Sequence, residues 1–316
     1  MSKLVPVERT PTPSARPCLQ PRSAAVLVPV DLSRLGVHAA WRAALVARDL
    51  GCALRLLHAE AGRDERGATE RSLRQLASQI RGHTGVRVEL VEDPDEPLQA
   101  TARAARDAAL VVVGGRRGNP LREWVLGTPA ERLLRLCRVP VLVVKKPPAG
   151  AYRRVLVPVE LAPAAAPVIA AAARLSRGPR MEVLHALRPG DEFGMRVFDL
   201  PEQAVRRLRR RAADRTERAL EELIAQSVPQ PDAALPAVGF GDPAAQVLAR
   251  SRAMRADLLV LGKRRRARLA DFFLGGVTQR VLAAAQVDVL LVPPEGAGEA
   301  LGFACALTPA YANRAN

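Results

Sequence analysis

The stretch VVVGGRRGNPLREWVLGT, Val111 to Thr128, sets an apolar run before two glycines, two arginines and a closing Gly-Thr pair. The chemistry these residues suit is anion binding. Glycine lets main-chain N–H groups approach phosphate oxygens with no Cβ in the way. Arginine grips phosphate through a planar fork of donors. A helix opening at Gly127–Thr128 adds its own unpaired N–H groups and dipole. A plainer reading needs no ligand: Thr128, Pro129 and Glu131 form a capping box worth about 1 kcal/mol to the helix they start. The arrangement returns as LLVLGKRRRARLADFFLGGV, Leu258 to Val277.

That recurrence belongs to a whole-chain duplication. AAVLVPVDLS from Ala24 is answered by RRVLVPVELA from Arg153, and ALRLLHAEAG from Ala53 by RMEVLHALRPG from Arg180. LGTPAERLLRLCRVPVLVV is answered by LGGVTQRVLAAAQVDVLLV. The offset grows from 129 residues at Asp31/Glu160 to 148 at Gly114/Gly262, so the second copy carries an insertion. There LPEQAVRRLRRRAADRTERALEELIAQ, from Leu200, reads as one long helix.

In unit one the pattern predicts strands near Ala25–Val30, Ala53–His58, Val86–Val91, Leu110–Gly114 and Pro140–Val144. Helices are predicted over Leu35–Leu50, Arg66–Arg81, Pro97–Arg106 and Pro129–Cys137. Val/Leu runs without polar alternation mark strands covered on both faces. Strands alternating with helices imply an α/β fold: two tandem doubly wound, Rossmann-like domains, each with a five-stranded parallel sheet. Ligands of such sheets bind beyond the C-terminal strand ends, where the strand order reverses. The expected domains are 23–147 and 152–294, joined by KKPPAGAYRR, with flexible tails at 1–22 and 295–316.

The 316 residues, 48% hydrophobic and 25% charged, are enough for two cores, built of Val, Leu and Ala because aromatics are only 3%. The net charge of +16 splits as +9 over residues 1–150 and +7 over the remainder, so no single basic tail carries it. Cys18, Cys52, Cys137 and Cys305 form no CxxC pair, which suits reduced thiols in the cytoplasm rather than disulfides or zinc. The Ala-rich run from Ala164 to Ala173 is too short to span a membrane.

On LVPVDLS, LLHAE and ALVVVGG…LGTPAERLLRLCRVPVLVV, with their second copies, the chain resembles the universal stress protein (UspA-like) family in its tandem form, from about Ala24 to Pro294. The resemblance implies the adenine nucleotide alpha hydrolase-like version of this fold and a regulatory role in the stress response. In nucleotide-binding members a strand-ending Asp and a G-x2-G-x9-G-[S/T] loop hold ATP, with or without Mg. Carried over, it assigns Pro29, Val30, Asp31, Ala59, Val113, Gly114, Arg116, Arg117, Gly127, Thr128 and Pro129 to a nucleotide site in unit one. Arg117 stands where the second glycine belongs. Unit two departs further. Glu160 replaces the Asp and reaches about 1.5 Å further into the cleft, Arg265 replaces the second glycine, and Gly276 replaces Ser/Thr, while Gly262 and Gly275 remain. That site is expected to be degenerate and structural.

The alternative function is a protein-interaction scaffold with vestigial clefts. Turnover of ATP is disfavoured, beyond a weak ATPase, because Asp31 stands without an evident base and metal-carboxylate set. His58 and His185, at equivalent strand ends, suit packing or backbone bonding better than catalysis. RRLRRRAADR from Arg206 and KRRRAR from Lys263 are the basic clusters. The first suits solvent as well as DNA, and scarce aromatics with no helix-turn-helix or RNA-binding signature disfavour nucleic acid. The second faces the cleft and suits phosphates or an acidic protein partner. Trp124 and Phe272–Phe273 are expected to pack on the adjacent strand. The resemblance also implies that the two final strands pair the units as an intramolecular pseudo-dimer, with a homodimer of whole chains as an alternative assembly.

Overall fold

Unbroken Val and Leu runs become strands buried on both faces: AVLVP, AALVVVG, VLVV and DVLLV are almost wholly inaccessible. A computed structural model describes residues 25–59, 66–114, 133, 136–188, 201–265, 272–273 and 275–293. The sequence-derived tails and most of the expected helix Pro129–Cys137 lie outside these residues.

Unit one contains β1 (Ala25–Pro29), α1 (Arg34–Leu50), β2 (Leu54–Ala59), α2 (Arg66–Thr84), β3 (Val88–Asp93), α3 (Pro97–Ala104), β4 (Ala108–Gly114) and β5 (Val141–Val144). Unit two contains β6 (Tyr152–Pro158), α4 (Ala166–Leu175), β7 (Ser176–Leu187), α5 (Glu202–Ser227), β8 (Ala234–Phe240), α6 (Pro243–Ala253) and β9 (Leu258–Gly262). It continues with the two-residue strands β10 (Arg264–Arg265) and β11 (Phe272–Phe273), then α7 (Gly276–Ala284) and β12 (Asp288–Val292). Pairing within each unit's main sheet is parallel, in the orders β3-β2-β1-β4-β5 and β12-β9-β6-β7-β8. As expected, the final strands join the units: β5 and β12 run antiparallel with Leu142 opposite Leu290, making one ten-stranded sheet.

Alternate residues of each strand feed the two faces. Val26, Val28, Leu110, Val112 and Leu142 pack under α1, α2, α4 and α5, while Leu27, Val111, Val141 and Val143 pack under α3, α6 and α7. Each fully buried Val or Leu contributes about 1.5–3 kcal/mol. Ala39, Ala40, Ala43, Ala44 and Ala47 let α1 lie close on the sheet. Ser33 caps its start, and Gly51 in the left-handed region (φ 68°) ends it, its N–H donating to Ala47 and Arg48 carbonyls.

The second copy departs locally. α4 is only 10 residues long against 17 in α1, and the chain passes straight into the 12-residue β7. Part of the difference is at its start, where Pro163–Ala165, equivalent to the first residues of α1, form a 3-10 turn; at its end Pro179 sets only an outer limit, because the residue before proline is pushed out of the helical region. Gly178 then lies against the Arg153 backbone, where a Cβ would come within 2.3 Å of the carbonyl oxygen. The expected inserted helix is α5, at 26 residues seven longer than α2.

A buried ionic cluster reinforces the junction. The Arg42 Nε of α1 ion-pairs with Asp288 Oδ2 at 3.1 Å, both side chains under 9% exposed. The Tyr152 hydroxyl donates to Asp288 Oδ2 at 2.7 Å, and the Lys145 backbone N–H to Oδ1 at 2.8 Å. Arg42 also donates to the Gly150 carbonyl and lies 4.3 Å over the Tyr152 ring. Lys145 Nζ donates to the Leu282 and Ala285 carbonyls at the end of α7. The duplication does not repeat the cluster, since Ala171 and Pro140 occupy the positions equivalent to Arg42 and Asp288.

Burial pulls Lys145 down to about 8, against the partial support of Asp288, and pulls Lys263 down to about 8. Both lysines ionise near 10.4 when unfolded, so the unfolded state binds more protons above pH 8. Stability is therefore expected to rise as pH climbs from 7 to 9, by up to about 1.4 kcal/mol per pH unit per lysine. Above 9 the buried thiols oppose the trend: burial raises Cys52, and raises Cys137 to about 11, so the unfolded thiols ionise first. Urea midpoints should climb to pH 9 and then level. A midpoint falling between 7 and 9 would contradict the burial of the two amines.

Candidate functional site

Each unit presents the same frame at its C-terminal strand ends. Beyond β1 the Val30 N–H donates to the Leu57 carbonyl at 2.8 Å, and beyond β6 Val159 does the same to Leu184 at 2.9 Å. His58 Nδ1 lies 3.1 Å from the Val30 carbonyl and His185 Nδ1 2.9 Å from that of Val159. A carbonyl only accepts, so Nδ1 carries the proton and donates. The histidines thus have the backbone-bonding role expected of them, holding the first strand's exit against the second.

In unit one Pro29 ends β1, Asp31 is exposed at the mouth, and Ala59 ends β2 half-buried. The Asp31 carboxylate is already engaged. Its Oδ1 accepts from the Ser33 N–H at 3.0 Å and the Ser33 hydroxyl at 2.7 Å, while Ser33 Oγ accepts from the Gly36 N–H at 3.1 Å. Leu32 between them takes the left-handed conformation (φ 55°) that this tight exit demands. A Cβ on Gly36 would lie 2.2 Å from Asp31 Oδ1, so glycine leaves the carboxylate its seat. Sequence reasoning missed Ser33 and Gly36, although the D-x-S-x-x-G spacing at a helix start is a local capping signal.

Val113 and Gly114 close β4, with Gly114 against the first turn of α1: a Cβ there would meet Leu35 O at 2.8 Å and Leu35 C at 2.9 Å. Close helix–strand packing therefore requires this glycine before any ligand does. Arg116, Arg117, Trp124, Gly127, Thr128 and Pro129 lie outside the described residues.

In unit two a cavity of about 810 Å³ opens at the equivalent place. Glu160, Gly262, Gly275 and Gly276 line it, as do His185, Lys263, Thr278, Arg188 and Arg280. Its walls are apolar: Val159, Leu161, Val168, Leu184, Val247, Leu261 and Val277. α7 starts at this cavity with Gly275 as a cap that offers no side-chain bond, so its first N–H groups take no side-chain cap. At the rim Arg280 pairs with Asp242 at 2.8 Å and holds that carboxyl below the usual range, helped by the Ala245 N–H at the start of α6. Lys263, 3% exposed, reaches across the units to the Cys137 carbonyl at 3.3 Å.

The loop carrying Arg265 folds back: Arg264 and Arg265 pair antiparallel with Phe273 and Phe272. The aromatic pair thus meets the loop backbone in a short ladder. Among the described residues no group of three His, Cys, Asp or Glu is placed to hold a metal, and no helix is long and apolar enough to cross a membrane.

The sequence model of the Universal stress protein family matches twice, over residues 24–145 and 151–293. A universal stress protein of Thermus aquaticus is 36% identical over 129 residues, which is 40% of this chain and 87% of the relative. A universal stress protein structure from Archaeoglobus fulgidus superposes with a TM-score of 0.64 at 19% identity, covering 87% of this chain and 99% of that one. A putative universal stress protein from Pseudomonas aeruginosa gives 0.61 at 21%, covering 88% and 95%. At these identities the structural likeness speaks for the fold.

Proposed function

Because the chain belongs to the universal stress protein family, we propose that its first unit binds an adenine nucleotide, ATP with or without Mg, as a cytoplasmic regulator in the stress response. One observation carries this reading. The duplicated frame of unit two, which shares the Val–Leu and His–Val backbone bonds at the first strand's exit, leaves about 810 Å³ free at the strand ends, within the ~300–1,000 Å³ usual for small-molecule sites. Unit one has that frame and keeps the Asp and Gly-Thr that unit two has lost.

In this reading Val30 and Ala59 flank the base, and Asp31 accepts from a ribose hydroxyl. Gly114, Gly127 and Thr128 face the phosphates with Arg116 and Arg117. The seat on Ser33 orients Asp31, because an aspartate held by two donors keeps its remaining lone pairs in a fixed direction. Binding of this kind implies no turnover. Unit two, with Glu160 for Asp and Gly276 for Thr, is the weaker site.

Asp31→Asn is the informative change, since an amide oxygen can still accept from Ser33 while the charge is lost. A hydrogen bond to a charged group contributes about 1.5–3 kcal/mol, so MgATP affinity is expected to fall roughly tenfold to a hundredfold. Calorimetric titration, with assay of nucleotide released from natively purified protein, measures it. The engagement of Asp31 by Ser33 also favours a second reading, a scaffold whose carboxylate serves only the α1 turn. Wild-type protein that carries no nucleotide and ignores added MgATP would decide for the scaffold.

A further inference from the structure

We propose that the first half of α5 is a docking surface for the phosphate backbone of duplex nucleic acid, independent of the nucleotide reading above. α5 buries only Thr216, Leu220 and Ile224, all in its second half. Ile224 and Arg206 stand eighteen residues, five full turns, apart and so share one azimuth. Yet Ile224 is in the core and Arg206 is exposed. Arg209 falls between the azimuths of buried Thr216 and Leu220, and it too is exposed. The packed stripe therefore turns along the helix: the first half keeps only partial cover, at Ala204, Val205, Leu208, Ala212 and Ala213, and the face bearing Arg206 and Arg210 is open to solvent.

The stretch from Glu202 to Arg215 carries Arg206, Arg207, Arg209, Arg210, Arg211 and Arg215 against Glu202 and Asp214. Arg206 pairs with Glu202, whereas Arg207, Arg209, Arg210 and Arg211 have no carboxylate partner among the described residues. Arg206/Arg210, Arg207/Arg211 and Arg211/Arg215 are like-charged neighbours one turn apart, an arrangement that destabilises a helix by a few tenths of a kcal/mol each. An anionic lattice would reverse that sign.

The choice of polyanion follows from the residues. A second copy of a +16 chain repels. A membrane-surface helix needs bulky apolar residues opposite its charges; here Ala204, Val205, Leu208 and Ala212, on the side away from Arg206 and Arg210, are half-buried and mostly small. All the cations are arginine, suited to forked contacts with phosphate. Scarce aromatics and the lack of a recognition motif exclude base reading, which backbone contact does not need.

The test is fluorescence anisotropy of the full chain with a labelled 20-base-pair DNA duplex across a salt series. Arg207→Gln/Arg210→Gln/Arg211→Gln is expected to weaken binding about tenfold or more at 50 mM salt. It should also make the slope of log affinity against log salt shallower by about 2–3, since each phosphate contact contributes about 0.9. The control Arg81→Gln/Arg106→Gln/Arg252→Gln removes three exposed charges elsewhere and should leave most of the affinity. Equal loss in both variants would show that net charge, not α5, binds, and would overturn the proposal. So would polyglutamate or phosphatidylglycerol vesicles displacing the duplex at matched charge, or no binding at 50 mM salt. Circular dichroism melts of both variants check that the helix persists.

Discussion

Asp288→Asn is expected to destabilise the protein by about 3–5 kcal/mol, the usual consequence of breaking a buried ion pair from one side. Asp288 is 1% exposed and is the acceptor around which Arg42, Tyr152 and the Lys145 backbone converge. The substitution leaves the Arg42 guanidinium uncompensated in the interior and turns an amide donor toward groups that are themselves donors. The second unit would lose its hold on α1 and on the linker at Gly150 together, so the damage concentrates at the junction. Urea denaturation measures the loss, and limited proteolysis between Lys145 and Tyr152 locates it. Exchanging the pair jointly, Arg42→Met with Asp288→Leu, should recover a large part of the loss, because the desolvation penalty of both charges disappears. A single Asp288→Asn variant as stable as wild type would mean that the cluster contributes nothing to the docking of the units.

The second large effect separates packing from ligand binding at the motif glycines. Gly114→Ala is expected to cost about 1–3 kcal/mol, the range for overpacking, because the new methyl meets the main chain of Leu35, which cannot swing aside. Gly262→Ala, at the equivalent position of unit two, meets only the Val168 Cγ2 at 3.3 Å. It should be near neutral, or stabilising by up to about 0.5–1 kcal/mol through the reduced entropy of the unfolded chain. Thermal melts of the two variants side by side provide the measurement. Equal destabilisation would contradict the packing account. A loss of nucleotide binding in Gly114→Ala carries no information about phosphate contact until its stability is known.

Most of the architecture is legible because it rests on short-range regularities. Short Val/Leu runs without alternation, bounded by turn residues, mark strands covered on both faces. Their spacing around helices leaves a parallel crossover as the economical topology. The duplication transfers each inference from one unit to the other, including the histidine–carbonyl bonds, whereas the paired final strands were implied by the family resemblance. Ser33 and Gly36 carry the weaker signal, because the Asp31 carboxylate that reads as a ligand group is also taken by the Ser33 cap two residues on.

What the sequence by itself determined, then, is the order, type and repetition of the elements. The tertiary structure alone decided that Arg42 meets Asp288 from 246 residues away, that Gly114 is wanted by a helix turn, and that unit two keeps an open cavity despite its altered motif. The physical reason is one of range. Periodicity and capping act over a few residues and are written locally. The partner of a buried charge and the void between loops follow from how whole elements dock, and the hydrophobic burial that drives docking has no direction of its own.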